Sequence, residues 1–155
     1  MKRSSFTIRK AKVRDARKIY GIVNRYARQA DLVIRTLEEI YSQIRDYILV
    51  EANRKVAGLI ALHVYSEGLA EIRSFVMEKE YRGNGSGKKL FYAAMKEAKE
   101  MGIKKVFVLT KIPDFFTGQG FRVISKKRLP QKIWKDCFKC IKFPDCDETA
   151  LIRKV

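Results

Sequence analysis

Apolar residues along this chain fall into two rhythms, and the points where one gives way to the other mark out its elements. Phe6 to Arg9 predicts a first strand. From Val13 the spacing lengthens: Ala16, Ile19, Tyr20, Val23 and Tyr26 recur every three or four residues, which predicts an amphipathic helix. Thr36 followed by Glu39 is a capping-box pair and predicts a second helix running through Ile40 and Ile44. Tyr47 to Glu51 predicts a strand, Ala52 to Lys55 a turn, and Val56 to Tyr65 the returning strand. Glu67 and Gly68 turn the chain into Ala70 to Met77, another strand. Leu90, Phe91, Ala94, Met95 and Ala98 then form one stripe of a third helix, which Gly102 ends. Thr149 to Arg153 predicts the last strand. Leu129 to Glu148 is less regular and reads as a loop with a helical turn around Lys132 to Cys137. This succession of strands and helices belongs to the α/β or α+β class, with a mixed sheet flanked by helices.

Between the strand that ends at Met77 and the third helix lies Arg82-Gly83-Asn84-Gly85-Ser86-Gly87. Strand, glycine-rich turn, helix makes an anion cradle. Glycine lets the backbone approach a phosphate with no Cβ in the way. The first N–H groups of a helix have no internal partner, and the helix dipole favours negative charge there. A diphosphate is the expected ligand. The dinucleotide fingerprint does not fit, because Lys88 stands where its third glycine belongs. Nor does the P-loop form: Lys89 replaces the Ser or Thr that would hold magnesium.

With 155 residues, 46% of them hydrophobic, one globular domain spanning 1–155 is expected. No apolar run approaches the roughly 20 residues that span a bilayer. The basic start, Met1 to Phe6, lacks the apolar core of a signal peptide, so a cytoplasmic protein is expected. The formal charge of +17 has three readings: a lysine-rich surface, a field that draws in anionic ligands, or a nucleic-acid partner. The clusters Lys2-Arg3, Lys104-Lys105 and Lys126-Lys127-Arg128 come with no nucleic-acid motif, which weighs against the third. Cys137, Cys140 and Cys146 are an odd count, which argues against a disulfide framework. Three thiolates could ligate zinc or iron–sulfur, but no fourth ligand is evident: His63 is far away in sequence, and Asp136, Asp145 and Asp147 are poor partners for soft metals. Reduced thiols, with no metal, are expected.

The spacing Arg82-x-x-Gly85-x-Gly87 resembles the acetyl-CoA signature of the GNAT acetyltransferases. "EIRSFVMEKEYRGNGSGKKLF" resembles that family's fourth strand, loop and third helix, and the likeness extends through "VFVLT" and "DFFTGQGF" over nearly the whole chain. The resemblance implies the GNAT fold and acetyl transfer from acetyl-CoA to an amine by direct attack. It implies that Ser74, Phe75 and Val76 hold the acetyl and pantetheine arm. Arg82, Gly83, Asn84, Gly85, Ser86 and Gly87 would cradle the pyrophosphate, with Lys88 and Lys89 within reach of coenzyme phosphates. Glu71 stands where many members carry a glutamate base. Alternation puts Glu71 and Arg73 on one face and Ile72 and Ser74 on the other, so a Glu71–Arg73 ion pair is the competing role. His63 is either a second candidate base or a satisfied core residue. Phe116 occupies the position of the family's usual tyrosine acid and has no proton to give. Thr110 and Thr117 are nearby hydroxyls.

Two further segments narrow the acceptor. "LVIRTLEEI", Leu32 to Ile40, resembles a segment of the N-acetylglutamate synthases. The stretch from Leu129 to Glu148 resembles the tail of their short stand-alone form. The resemblance implies acetylation of L-glutamate, the first step of arginine biosynthesis. Glutamate offers two carboxylates and one amine, which calls for two separated cations. Arg35 is the candidate for one carboxylate, and Lys132 and Arg73 are candidates for the other, with Lys135 behind them. Two other readings stay open: an acetyltransferase for a different amine, and a coenzyme- and nucleic-acid-binding module. A homodimer is also left open.

Overall fold

The computed structural model describes residues 5–29, 34–129 and 147–155. The chain begins with β1 (Phe6–Lys10), a 3-10 turn (Val13–Asp15) and α1 (Ala16–Gln29). Next come α2 (Leu37–Ser42), a second 3-10 turn (Ile44–Asp46), β2 (Tyr47–Ala52), β3 (Lys55–Ser66) and β4 (Leu69–Met77). α3 (Ser86–Glu100), β5 (Lys105–Thr110), α4 (Pro113–Thr117), β6 (Arg122–Ile124) and β7 (Thr149–Lys154) complete it. The second helix stops at Ser42, short of the expected Ile44, because Gln43 leaves helical geometry and the chain tightens into the 3-10 turn. The Thr36–Glu39 capping box forms as expected, with both reciprocal hydrogen bonds.

One seven-stranded sheet runs in the order β1-β2-β3-β4-β5-β7-β6. Every pairing is antiparallel except β4 with β5. The β2–β3 hairpin turns through Asn53 and Arg54, both at positive φ, the geometry of a tight primed turn. α3 lays its apolar stripe on one face of the sheet, against Ile48, Val50, Ile60, Leu62, Ala70 and Ile72. α1 and α2 cover the other, packing Ala16, Ile19, Val23 and Ile40 on Tyr47, Leu49, Leu59 and Ala61. β2 is therefore buried on both sides, which is why Tyr47 to Val50 is continuously apolar.

β4 departs from simple alternation. Leu59 pairs with Val76 but Ala61 pairs with Arg73, so β4 carries one residue more than β3 across that interval. Ser74 sits in this bulge at φ +55°, a left-handed conformation uncommon outside glycine. The extra residue reverses the faces. Ala70 and Ile72 point to α3 before it, and Phe75 and Met77 do so after it, while Val76 joins the α1 side.

The start of the chain is held by Arg9. Its Nη1 and Nη2 each donate to Asp15 at 2.8 Å, and its Nε donates to Glu51 Oε1 at 2.6 Å. This hydrogen bonding from Arg9 holds the Asp15 carboxyl below its ordinary range; burial opposes the shift and the Lys12 N–H reinforces it. A lowered folded-state pKa means stability that is present above the unfolded-state value of about 3.9 and is lost as pH falls through the folded-state value. We therefore expect Asp15→Asn to cost about 1–3 kcal/mol at neutral pH. In urea titrations the gap to wild type should narrow as pH drops below about 4. A gap that is constant with pH would show that Asp15 acts without its charge.

Candidate active site

β4 and β5 pair only over Leu69–Glu71 and Lys105–Phe107. Beyond that point β5 continues with β7 alone, and the outer edge of β4 from Ile72 to Met77 has no strand beside it among the described residues. The two parallel strands part like a V. Backbone N–H and C=O groups along an unpaired strand edge need partners, and an extended, amide-bearing ligand can supply them. Phe75 and Phe115 meet across this region with ring centroids 5.8 Å apart.

The glycine-rich turn stands at the mouth of the V. Gly83 and Gly85 adopt φ +85° and +83°, and a Cβ on either would meet nothing within 4 Å. Their side of the loop is open, and conformation is what demands glycine there. α3 starts at Ser86, and Lys89 N–H is bonded to the Gly85 carbonyl at 3.2 Å. Asn84 Oδ1 takes the Ser86 N–H at 3.1 Å and lies 2.6 Å from its hydroxyl. The Gly87 and Lys88 amides precede Lys89, the first N–H with an intrahelical acceptor, and are presented at the positive end of the helix dipole. Arg82 Nε donates to the Met77 carbonyl at 3.0 Å, which ties the loop to the end of β4. Lys88 and Lys89 are exposed.

On the α1–α2 face a polar cluster surrounds the bulge. The Tyr47 phenol is buried, hydrogen-bonds with the Ser74 side chain and lies in the fields of Arg73, Arg35 and Asp46. Burial pushes its pKa up, and the two guanidiniums and Ser74 pull it back. Arg73 donates to Gln43 Oε1 at 2.5 Å. Ser74 thus reaches the Tyr47 side and not the Ile72 face that alternation assigns it; the bulge and its positive φ are the reason. Arg35 is anchored through its backbone. Asn24 Nδ2 donates to its carbonyl at 2.7 Å, and its N–H donates to Asn24 Oδ1 at 2.8 Å.

Glu71 is buried, and Tyr65 Oη donates to its Oε1 at 3.1 Å. His63, its partner across β3 and β4, places Nδ1 2.7 Å from Asp46 Oδ2. A carboxylate only accepts, so Nδ1 carries the proton. His63 and Tyr65 stack edge to face at 5.0 Å. Phe116 is buried and packs against Phe91, Phe115 and Phe121. Thr110 Oγ1 accepts from the Ile112 N–H, and Thr117 Oγ1 donates to the Asp114 carbonyl.

Arg35 and Arg73 therefore both lie within electrostatic reach of one phenol, and Ser74, Phe75 and Val76 follow one another along the same stretch of β4. Lys132, Lys135, Cys137, Cys140 and Cys146 lie outside the described residues. Among the described residues no cluster of His, Cys, Asp and Glu could hold a metal, and no helix is long and apolar enough to cross a membrane. Tyr47, Asn24 and Gln43 escape the sequence reading. Only Asn24 leaves a trace in it, as a polar residue beside Val23 on the apolar stripe of α1.

The Acetyltransferase (GNAT) family model matches residues 13–121. The chain belongs to the GNAT acetyltransferase family. It is 38% identical to an uncharacterised N-acetyltransferase of Chlorobaculum tepidum, over 94% of each chain. It is 32% identical to the amino-acid acetyltransferase of Pasteurella multocida, over 83% of this chain and 30% of that protein. N-acetylglutamate synthase from Neisseria gonorrhoeae, complexed with coenzyme A and N-acetyl-glutamate, superposes with a TM-score of 0.83 at 21% identity. That alignment covers 99% of this chain and 36% of the synthase, so this chain spans about a third of those two longer relatives. GNAT acetyltransferases use acetyl-CoA, and this chain is an acetyltransferase of that kind.

Gly85 tests the loop. We expect Gly85→Ala, which forces a side chain into φ +83° at the helix start, to weaken coenzyme A binding about tenfold by calorimetry while Tm falls by only a few degrees. Unchanged affinity would remove the loop from the coenzyme site.

Proposed function

We propose that this acetyltransferase transfers the acetyl group of acetyl-CoA to the α-amino group of L-glutamate, giving N-acetyl-L-glutamate and coenzyme A. The observation that carries the proposal is that Arg35 and Arg73, from different segments, both lie within electrostatic reach of the buried Tyr47 phenol, beside the bulge where β4 leaves β5. Two guanidiniums arriving from different elements can each take a carboxylate through two N–H donors. A cationic acceptor such as a polyamine would be repelled there.

In this reading Arg82, Gly83, Asn84, Gly85, Ser86, Gly87 and Lys88 hold the pyrophosphate, and the free edge of β4 at Ser74, Phe75 and Val76 holds the pantetheine arm. Arg35 and Arg73 bind the two carboxylates, with Lys132 as a further cation outside the described residues. The amine nitrogen attacks the thioester carbonyl carbon, the C–S bond breaks, and the sulfur leaves with the bonding pair. The nitrogen must shed a proton, and Glu71, whose carboxylate accepts from Tyr65 Oη, is the base. A reducing cytoplasm suits three cysteines without a paired framework. The Pasteurella and Neisseria relatives carry the names amino-acid acetyltransferase and N-acetylglutamate synthase, which supports the acceptor class.

Release of coenzyme A thiol from acetyl-CoA, followed with glutamate, aspartate, glutamine and a panel of other amines, tests this reading. We expect glutamate to be turned over best. Arg35→Ala should lower kcat/KM for glutamate by about 100- to 1,000-fold, the loss that follows removal of one partner of a charge pair. Turnover confined to amines without a second carboxylate would discard the acceptor and keep the enzyme class.

A further inference from the structure

α1 carries a polar side chain at a fully enclosed position. Asn24 is 1% exposed and shares the buried side of the helix with Ile19, Ile22, Val23 and Ala27. A buried amide is costly unless its donor and acceptor are both satisfied, whereas an apolar side chain of similar size would pack there at no such cost. Both ends of the Asn24 amide go to one residue: Nδ2 to the Arg35 carbonyl and Oδ1 to the Arg35 N–H. The grip fixes the peptide planes on both sides of the Arg35 Cα. Thr36, the next residue, is locked independently: its N–H donates to Glu39 Oε2 and its hydroxyl accepts the Glu39 N–H. α2 is therefore capped without Asn24, and what Asn24 adds is the orientation of Arg35.

We propose that Asn24 is a positioning residue for the acceptor site, holding the Arg35 backbone so that its guanidinium is set to meet an acceptor carboxylate. The inference rests on the reading of Arg35 as a carboxylate ligand. It requires no contact between Asn24 and the substrate. It makes acceptor recognition depend on a side chain inside the α1 core, and it leaves the glycine-rich loop, on the other side of the sheet opening, untouched.

The test uses the full chain with Asn24→Asp, Asn24→Ala, Arg35→Ala and the Asn24→Asp/Arg35→Ala double variant. Asn24→Asp keeps shape and one acceptor but sets a carboxylate oxygen against the Arg35 carbonyl. Asn24→Ala removes both bonds. Coenzyme A affinity by calorimetry and a thermal melt report folding, and amide hydrogen exchange reports the Arg35 N–H. Each kinetic constant is measured on the best acceptor of the wild type, glutamate or another, so a failed glutamate reading and a failed clamp are separate results. We expect Asn24→Asp to raise the acceptor KM about tenfold, with coenzyme A affinity within about twofold of wild type and faster exchange at Arg35. In the Arg35→Ala background the same change should raise the acceptor KM no further, because a residue acting through Arg35 has nothing left to position. A wild-type acceptor KM in a folded Asn24 variant overturns the proposal. So does a full additive effect without the Arg35 side chain, or loss of coenzyme A affinity in step with acceptor affinity in both Asn24 variants, which would assign Asn24 to folding.

Discussion

The parting of β4 from β5 governs everything else in this molecule. Two parallel strands that hydrogen-bond for three residues and then diverge leave a strand edge open inside the sheet, where backbone groups would otherwise be paired. The bulge at Ser74 is what keeps that edge compatible with a packed core. An extra residue on β4 bends the strand and switches which side chains face α3, so Phe75 and Met77 seal the helix side while Arg73, Ser74 and Val76 stay toward α1. Gly58, under the same stretch, has no room for a Cβ: one would lie 2.8 Å from the Val76 carbonyl and 2.4 Å from Met77 Sδ. The two strands are pressed together there, and the opening is confined to the β5 side.

From that opening the site divides by chemistry. The helix-start amides and exposed lysines at the head of α3 present positive charge to a polyanion at the surface, where the +17 of the chain raises the local concentration of such ligands. The proposed acceptor side is different in kind. Its cations are partly or wholly buried, and a neutral amide contacts each: Gln43 on the Arg73 guanidinium, Asn24 on the Arg35 backbone. Arg9, by contrast, is held by the carboxylates of Asp15 and Glu51 and serves the fold.

Legibility in the sequence follows the range of the interactions. The α3 stripe, the Thr36–Glu39 box and the glycine turn are set by neighbours within a few residues, and each stands where its pattern puts it. The Ser74 bulge is not local. It exists because of how β3 and β4 register, so simple alternation sends Ser74 to the wrong face. Tyr47 reads as one more apolar strand residue, and nothing in its neighbourhood announces that its hydroxyl will feel the charges of two arginines from distant segments. Asn24 and Gln43 acquire meaning only through residues brought beside them by folding. The family resemblance supplies the cofactor and the loop, because those depend on a short motif; the proposed acceptor cluster is assembled from α1, the residues flanking α2, β2 and β4.

Phe116 shows how such a site can do without a proton donor at the usual place. It is buried in an aromatic group with Phe91, Phe115 and Phe121, and the two nearby hydroxyls, Thr110 and Thr117, are engaged with local backbone. The reaction is asymmetric in its need for proton transfer. An ammonium group has no lone pair to attack with until a base relieves it of a proton. A thiolate, the conjugate base of a thiol of ordinary pKa about 8.5, is a far weaker base than the deprotonated amine that would otherwise be expelled from the tetrahedral intermediate, so it is a competent leaving group close to neutral pH. Losing the acid therefore costs less than losing the base. In the proposed reading the base is Glu71, a buried carboxylate that accepts from Tyr65 Oη, and the Phe116 position serves packing on the α4 side of the opening.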